Sequence, residues 1–185
     1  YEIMPSLVGS EMCIRDSPLP GVVLEDYYLE HIVLCLSDGL LAQCGIDLDT
    51  HRGEIAAGNL SALCDCPFVL GSAEDIGGRI GRGLLRSSGV SPVSKATSEN
   101  VETLLALCEQ GVGACFCPEN LLHTALSPAQ LAHLHILPLC SEASYPICFG
   151  YLSRSYPWSV LSEFIRIARE QTAYCLLYTS PSPRD

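Results

Sequence analysis

The sequence is short of lysine: Lys95 is the only one in 185 residues. Basic residues number 10 in all against 21 acidic ones, a formal net charge of −11. Nucleic-acid binding normally uses a clustered Lys/Arg surface that displaces counterions from phosphates, so these residues do not form a phosphate-gripping surface. Any DNA-reading part of the protein lies elsewhere. Charge of either sign is scarce, 17% of residues against 48% hydrophobic, which excludes the composition of a disordered chain. No apolar run reaches the roughly 18 residues needed to cross a bilayer, and no membrane partner is expected. The chain is expected to be soluble and globular, with apolar residues enough for one ordinary domain or two small lobes.

What is abundant is cysteine, eleven residues in all, and the two ends must be set aside before they are weighed. Residues 1–17, YEIMPSLVGSEMCIRDS, show neither the order of a secretory signal nor helical periodicity, and residues 175–185, CLLYTSPSPRD, are equally patternless. Leu7 to Asp16 can be written CTC GTG GGC TCG GAG ATG TGT ATA AGA GAC, followed by AG. The reverse complement of that string contains TGT CTC TTA TAC ACA TCT CCG AGC CCA CGA, which translates to Cys175 through Arg184. The ends thus resemble opposite strands of one transposon-type sequencing adapter, and both are expected to be translated artefacts. Pro18 to Tyr174 remain, with nine cysteines and 8 basic against 17 acidic residues, a net of −9. The gene product is expected to be longer.

Within that stretch short apolar runs alternate with segments of helical period. Leu29–Leu36, Pro67–Gly71, Gly113–Cys117, Leu134–Leu139 and Pro146–Leu152 are bounded by Gly, Pro, Ser or Asp and are expected as buried strands. Ile76, Ile80, Leu84 and Leu85 form one helical stripe ending near Gly89. Val101, Leu104, Leu105 and Cys108 form a second, with Thr97 and Ser98 as candidate caps and Gly111 as its stop; Val160, Leu161, Phe164, Ile165 and Ala168 form a third. Strands alternating with helices predict an α/β fold with a largely parallel sheet. Asp47 to Gly58, polar and broken by glycine, is expected as a loop leading to a short turn at Asn59–Leu63.

The cysteines form two C-x-C pairs, Cys64-Asp65-Cys66 and Cys115-Phe116-Cys117, whereas structural zinc sites favour C-x2–4-C with a distal partner pair. Residues i and i+2 share a strand face, so convergence on a metal is open, as is redox chemistry. Core packing is the expected role of Cys115 and Cys117, because free cysteine in an apolar strand behaves as a small hydrophobe. Cys44, in a Gln-Cys-Gly context, is the thiol best placed to react, although no basic neighbour in sequence lowers its pKa. Histidines 31, 51, 123, 133 and 135 offer no nucleophile–base pair, and His133-Leu-His135 is expected as a solvated strand-edge pair. No catalytic residue, metal ligand or cofactor is therefore assigned. Gly77, Gly78, Gly81 and Gly83 miss G-x-G-x-x-G at Arg86 and lie inside a helical stripe, so close helix packing or a loose first turn is their expected role.

The stronger feature is a pair of strand-to-helix junctions. Leu70-Gly71-Ser72 follows the PFVLG strand, and Thr97-Ser98-Glu99 opens the Val101 helix. In open α/β sheets ligands sit beyond the carboxyl ends of strands, where helix N-termini offer unpaired N–H groups and small hydroxyls bond a polar head group. Capping alone would account for Thr97 and Ser98 equally well, and one hydroxyl can do both.

The order of features from Leu29 onward resembles the effector-binding domain of LysR-type transcriptional regulators. The resemblance rests on Glu30-His-Ile-Val-Leu, on Leu60 to Gly71, and on Arg79 to Pro92, an Arg-bearing helix leading to Ser88-Gly-Val-Ser-Pro92. Most specific is Glu99 to Glu119, where a helix ending Leu107-Cys-Glu-Gln-Gly111-Val-Gly113 enters an apolar strand and then Pro118-Glu119; an aromatic strand followed by Leu161-Ser-Glu-Phe164-Ile165 closes the pattern. Cysteines stand where the family usually has aliphatics. The resemblance implies an α/β, periplasmic-binding-protein-like fold of type II, two lobes joined by two crossing strands, with the second lobe complete and the first truncated. Residues 18–36 would end lobe one and supply the first crossing strand, 37–138 would form lobe two, and 139–174 would return to lobe one with a C-terminal helix. A small metabolite, anionic or otherwise polar, would bind between lobes through Leu70, Gly71, Ser72, Thr97, Ser98 and Glu99, with Lys95 or Arg154 near the rim. DNA would be bound only by a missing N-terminal winged helix-turn-helix, in a homo-oligomer. The alternative is an exported solute-binding protein of a transporter with the same fold. Nine unpaired cysteines weigh against export and for a cytoplasmic regulator, because an oxidising compartment tends to pair or purge them.

Overall fold

Successive side chains of a strand point to opposite faces, and this alternation organises the larger part of the molecule. A computed structural model describes residues 20–153 and 159–179, the side chains of 123 and 172–179 excepted. They divide into two compact units, 30–145 in one, and 20–29 with the residues from 146 onward in the other.

In the first unit β1 (Val22–Ser37) enters from its Glu30 end and leads into α1 (Asp38–Cys44), capped by Ser37 and closed by Gly45, whose φ of 64° is the left-handed conformation that glycine adopts without strain. Next come α2 (Leu48–Ala56), a 3₁₀ turn (Ser61–Leu63), β2 (Pro67–Gly71), α3 (Ile76–Ser87), β3 (Val93–Ser98) and α4 (Val101–Glu109). After them follow β4 (Cys115–Pro118), α5 (Glu119–Ala125), the single turn α6 (Pro128–Leu131) and β5 (Leu134–Pro138). β1 pairs antiparallel with β4, Leu34 opposite Phe116, and with β5, Leu36 opposite His135. β2 and β3 run parallel, and the bridge between Phe68 and Ala114 joins that pair to the β4 edge. The expected largely parallel sheet is therefore corrected to a mixed one, since β1 runs against both β4 and β5.

Two cores follow from the alternation. Ile32, Leu34 and Leu36 of β1, Phe68 and Leu70 of β2, and Phe116 of β4 meet Leu40, Leu48, Ile55 and Leu85 from α1, α2 and α3. On the opposite face Val33 and Cys35, Val69, and Cys115 and Cys117 meet Leu104, Leu105 and Cys108 of α4 and Leu122 of α5. Helices on both faces of a sheet are the layered arrangement of an α/β domain. Fully burying one of these large side chains is worth roughly 1.5–3 kcal/mol. Cys115 and Cys117 pack as core residues, as expected.

The segment 47–58 is not the expected loop. Asp47 caps α2, accepting from the Asp49 N–H at 3.1 Å and from the Thr50 hydroxyl at 2.8 Å, and those bonds, the hydroxyl's first, hold its carboxyl below the ordinary range. Leu48 and Ile55, seven residues apart on one face, are the only buried anchors of α2. The glycines of α3 do pack closely: a Cβ at Gly78 would strike the Ser72 carbonyl oxygen, and one at Gly81 the Phe116 ring, whereas Gly83 has open space. The fully buried residues of α3 are Gly77, Gly78, Gly81 and Leu85, and Ile80 and Leu84 of the expected stripe pack half-buried against the same core.

In the second unit β6 (Ser144–Leu152) pairs with β1 and α7 (Ser159–Thr179) follows. The Tyr27 ring lies 4.5 Å from Phe149, whose other neighbour is Phe164 at 6.0 Å. Tyr27 donates its hydroxyl to the Ala168 carbonyl at 3.0 Å, and Arg169 pairs with Glu25 at 2.8 Å.

Candidate functional site

The parallel register of β2 and β3 sets Leu70 opposite Thr97 and Gly71 opposite Ser98. The two strand-to-helix junctions singled out in the sequence therefore end at one level, a strand spacing of about 4.8 Å apart. Beyond them α3 and α4 begin, so two helix N-termini flank one edge of the sheet. Each offers N–H groups without intrahelical partners and the positive end of its dipole.

The caps are not the residues expected. Thr97 and Ser98 finish β3, and Asn100 caps α4, its Oδ1 accepting from the Thr103 N–H at 3.0 Å. Asp75 caps α3, Oδ2 accepting from the Gly78 N–H at 2.9 Å. The correction has a physical reason: a cap takes extended geometry one residue before the helix, and two residues separate Ser98 from Val101. Ser98 instead shapes the turn, its Oγ accepting from the Asn100 N–H at 3.1 Å. Ser72 does the same at the other junction, accepting from the Glu74 N–H at 3.3 Å. Thr97 is exposed, with no cap to serve, and Glu99 is exposed beside it; Leu70 and Gly71 are buried and act through backbone position. Lys95 lies exposed on the edge strand β3, and Arg154 falls outside the described residues. Sequence reading missed Asp75 and Asn100, although an Asn or Asp immediately before a helical stripe is the ordinary cap signal.

Other chemistry-bearing groups are accounted for locally. His133 and His135 are solvated, as expected, but Asp38 joins them: its carboxylate lies 2.7 Å from His135 Nε2 and 3.7 Å from His133 Nδ1. The Cys115 thiol is pushed well above its ordinary range by hydrogen bonds to the Cys108, Cys117 and Cys35 thiols and by burial. Glu30, buried, accepts from the Asn120 N–H at 3.3 Å and from its side-chain amide at 3.2 Å. Among the described residues no group of three or more His, Cys, Asp or Glu is arranged to hold a metal ion, and no helix is long and apolar enough to cross a membrane.

Helices layered on both faces of a mixed sheet, with two helix N-termini at its edge, make the larger unit an α/β layered domain. The model of the family described as LysR substrate binding domain matches residues 12–173, and the chain belongs to that family. The family is one of transcriptional regulators, and the transporter alternative is not favoured. No curated protein matches. Solved structures do. The effector-binding domain of QuiR, in complex with shikimate, is 11% identical with a TM-score of 0.56, over 84% of this chain and 67% of that one. HinK of Pseudomonas aeruginosa, a LysR family transcriptional regulator, is 16% identical with a TM-score of 0.62, over 85% of this chain and 52% of that one. Full-length CbnR complexed with target DNA is 17% identical with a TM-score of 0.50, over 83% and 50%. The chain thus spans about half the length of the two regulators.

Proposed function

We propose that the chain is the effector-sensing part of a LysR-type, DNA-binding transcription regulator. The observation that carries this reading, beside the family, is the β2–β3 register that aligns two hydroxyl-bearing junctions beneath two helix N-termini. A small metabolite would set its polar or anionic head group against the Thr97 and Ser98 hydroxyls and the Gly71–Ser72 backbone, with Leu70 and Glu99 bounding the site. Residues 37–138 would be the effector-holding lobe, 18–36 and 139–174 parts of the other, and 1–17 and 175–185 foreign. The protein would work in the cytoplasm as a homo-oligomer, without catalysis or a cofactor, and would reach DNA through a separate basic domain. That QuiR is held with shikimate and CbnR with DNA supports this division of labour. Binding shifts a two-state equilibrium only by differential affinity, so the effector must prefer one arrangement of the protein.

Thermal denaturation of the chain against a panel of small carboxylates and polyols tests the reading. A compound that binds the folded state raises Tm with its concentration. A panel in which Tm never moves, for this chain and for one extended to full family length, would contradict it.

A further inference from the structure

Of the thiols that the regulator reading leaves unused, two face one cavity. Cys44 ends α1 and Cys66 immediately precedes β2, and both line a solvent-open cavity of about 110 Å³ together with His51 and Asp65. Cys66 is fully buried in the first core, against which half-buried Cys44 packs. The cavity lies at the N-terminal end of β2, whereas Leu70–Ser72 lie at its C-terminal end. Five strand residues separate the two by about 15 Å.

We propose that Cys44 and Cys66 form an oxidisable dithiol, a modification site for small hydroperoxides apart from the effector site. Cys44 is the attacking thiol because it is half-buried, whereas Cys66 is fully buried. His51 lines the same cavity and serves as the base: its Nδ1 lies 3.4 Å from Glu54 Oε2, and a proton held on Nδ1 leaves Nε2 as acceptor. In the first step the Cys44 sulfur bonds the distal oxygen of ROOH, the O–O bond breaks, and RO⁻ leaves as ROH with the thiol's proton, giving Cys44–SOH. In the second the Cys66 sulfur attacks the Cys44 sulfur, the S–O bond breaks, and hydroxide leaves as water with the Cys66 proton. Two thiols and one hydroperoxide become one disulfide, ROH and H₂O.

The other thiols among the described residues lack this arrangement. Cys35, Cys108, Cys115 and Cys117 are sealed in the second core. Cys140 and Cys148 are held protonated by partial burial and by the carboxylates of Glu142 and Asp26. Burial pushes the Cys66 thiol up to about 12, the Cys44 thiol beside it adding to the rise, so Cys66 keeps its proton and is not the thiol that attacks the hydroperoxide. Cys64 is exposed but turned to the Asp65 carboxylate at 3.6 Å.

The reduced chain, freed of reductant and given one equivalent of cumene hydroperoxide, should lose about 2 Da, the mass of the two thiol hydrogens. Trypsin cuts at Arg52 and Arg79, so the bridge would link peptide 16–52 to peptide 53–79. Cys44→Ser should abolish the link and Cys64→Ser leave it intact. Cys66→Ser should stop the reaction at a sulfenic acid on Cys44 that dimedone traps. Should that variant fold poorly, the wild-type map decides alone. No bridge, a bridge from Cys44 to Cys64, or a bridge that survives Cys44→Ser would overturn the assignment.

Discussion

Single residues set the site's rigidity. Asn100 holds the first turn of α4 directly above Ser98, and the loss of a cap typically costs about 1 kcal/mol. Asn100→Ala is expected to lower stability by about that amount in urea denaturation, while Asn100→Asp keeps it, because an aspartate oxygen accepts the same Thr103 N–H. Cys66 gives a pH signature. Its thiol titrates at about 12 when folded against 9.0 for an ordinary thiol. Below the lower value both states hold the proton and the stabilisation is complete. As pH rises from that value toward 12, the unfolded chain has released a proton that the folded chain keeps, and stability falls. Denaturation midpoints should therefore drop as pH rises from about 9 toward about 12, and Cys66→Ala should flatten the drop. An equally steep fall in the variant would assign the alkaline loss to other groups.

At the scale of elements, the legible parts were those with dense periodic signals. The alternation through Ile32–Leu36 and the stripe Leu104, Leu105, Cys108 stand in β1 and α4 as expected. What escaped was sparse. α2 has two buried anchors among polar residues and a glycine, so its i, i+7 spacing carries too few points to show a period. β3, Val-Ser-Lys-Ala-Thr-Ser, is an edge strand with no buried residue, and only its pairing with β2 makes it a strand. The junction pair was visible as two motifs, but their adjacency depends on that pairing and could not be read from either. The glycine face of α3 permits the close approach that fixes the Ser72 turn. Gly78→Ala meets backbone there and should destabilise by about 1–3 kcal/mol, more than Gly81→Ala, which meets a side-chain ring. Equal midpoints for the two variants would remove the backbone argument.

For the whole molecule, the single lysine and the net charge of −11 argue against a surface that grips nucleic acid. The chain should show no salt-sensitive retention of duplex DNA in a mobility-shift assay at about 50 mM salt, where even non-specific binders are retained. Sensing is the central claim, and calorimetric titration of the best stabilising metabolite tests it most directly. Thr97→Val keeps the shape and removes the hydroxyl, and Ser98→Ala removes the other. Each is expected to weaken binding roughly tenfold or more, as the loss of a buried polar contact does. Wild-type affinity in both variants, with the fold intact by circular dichroism, would contradict the placement of the effector at the carboxyl edge of β2 and β3.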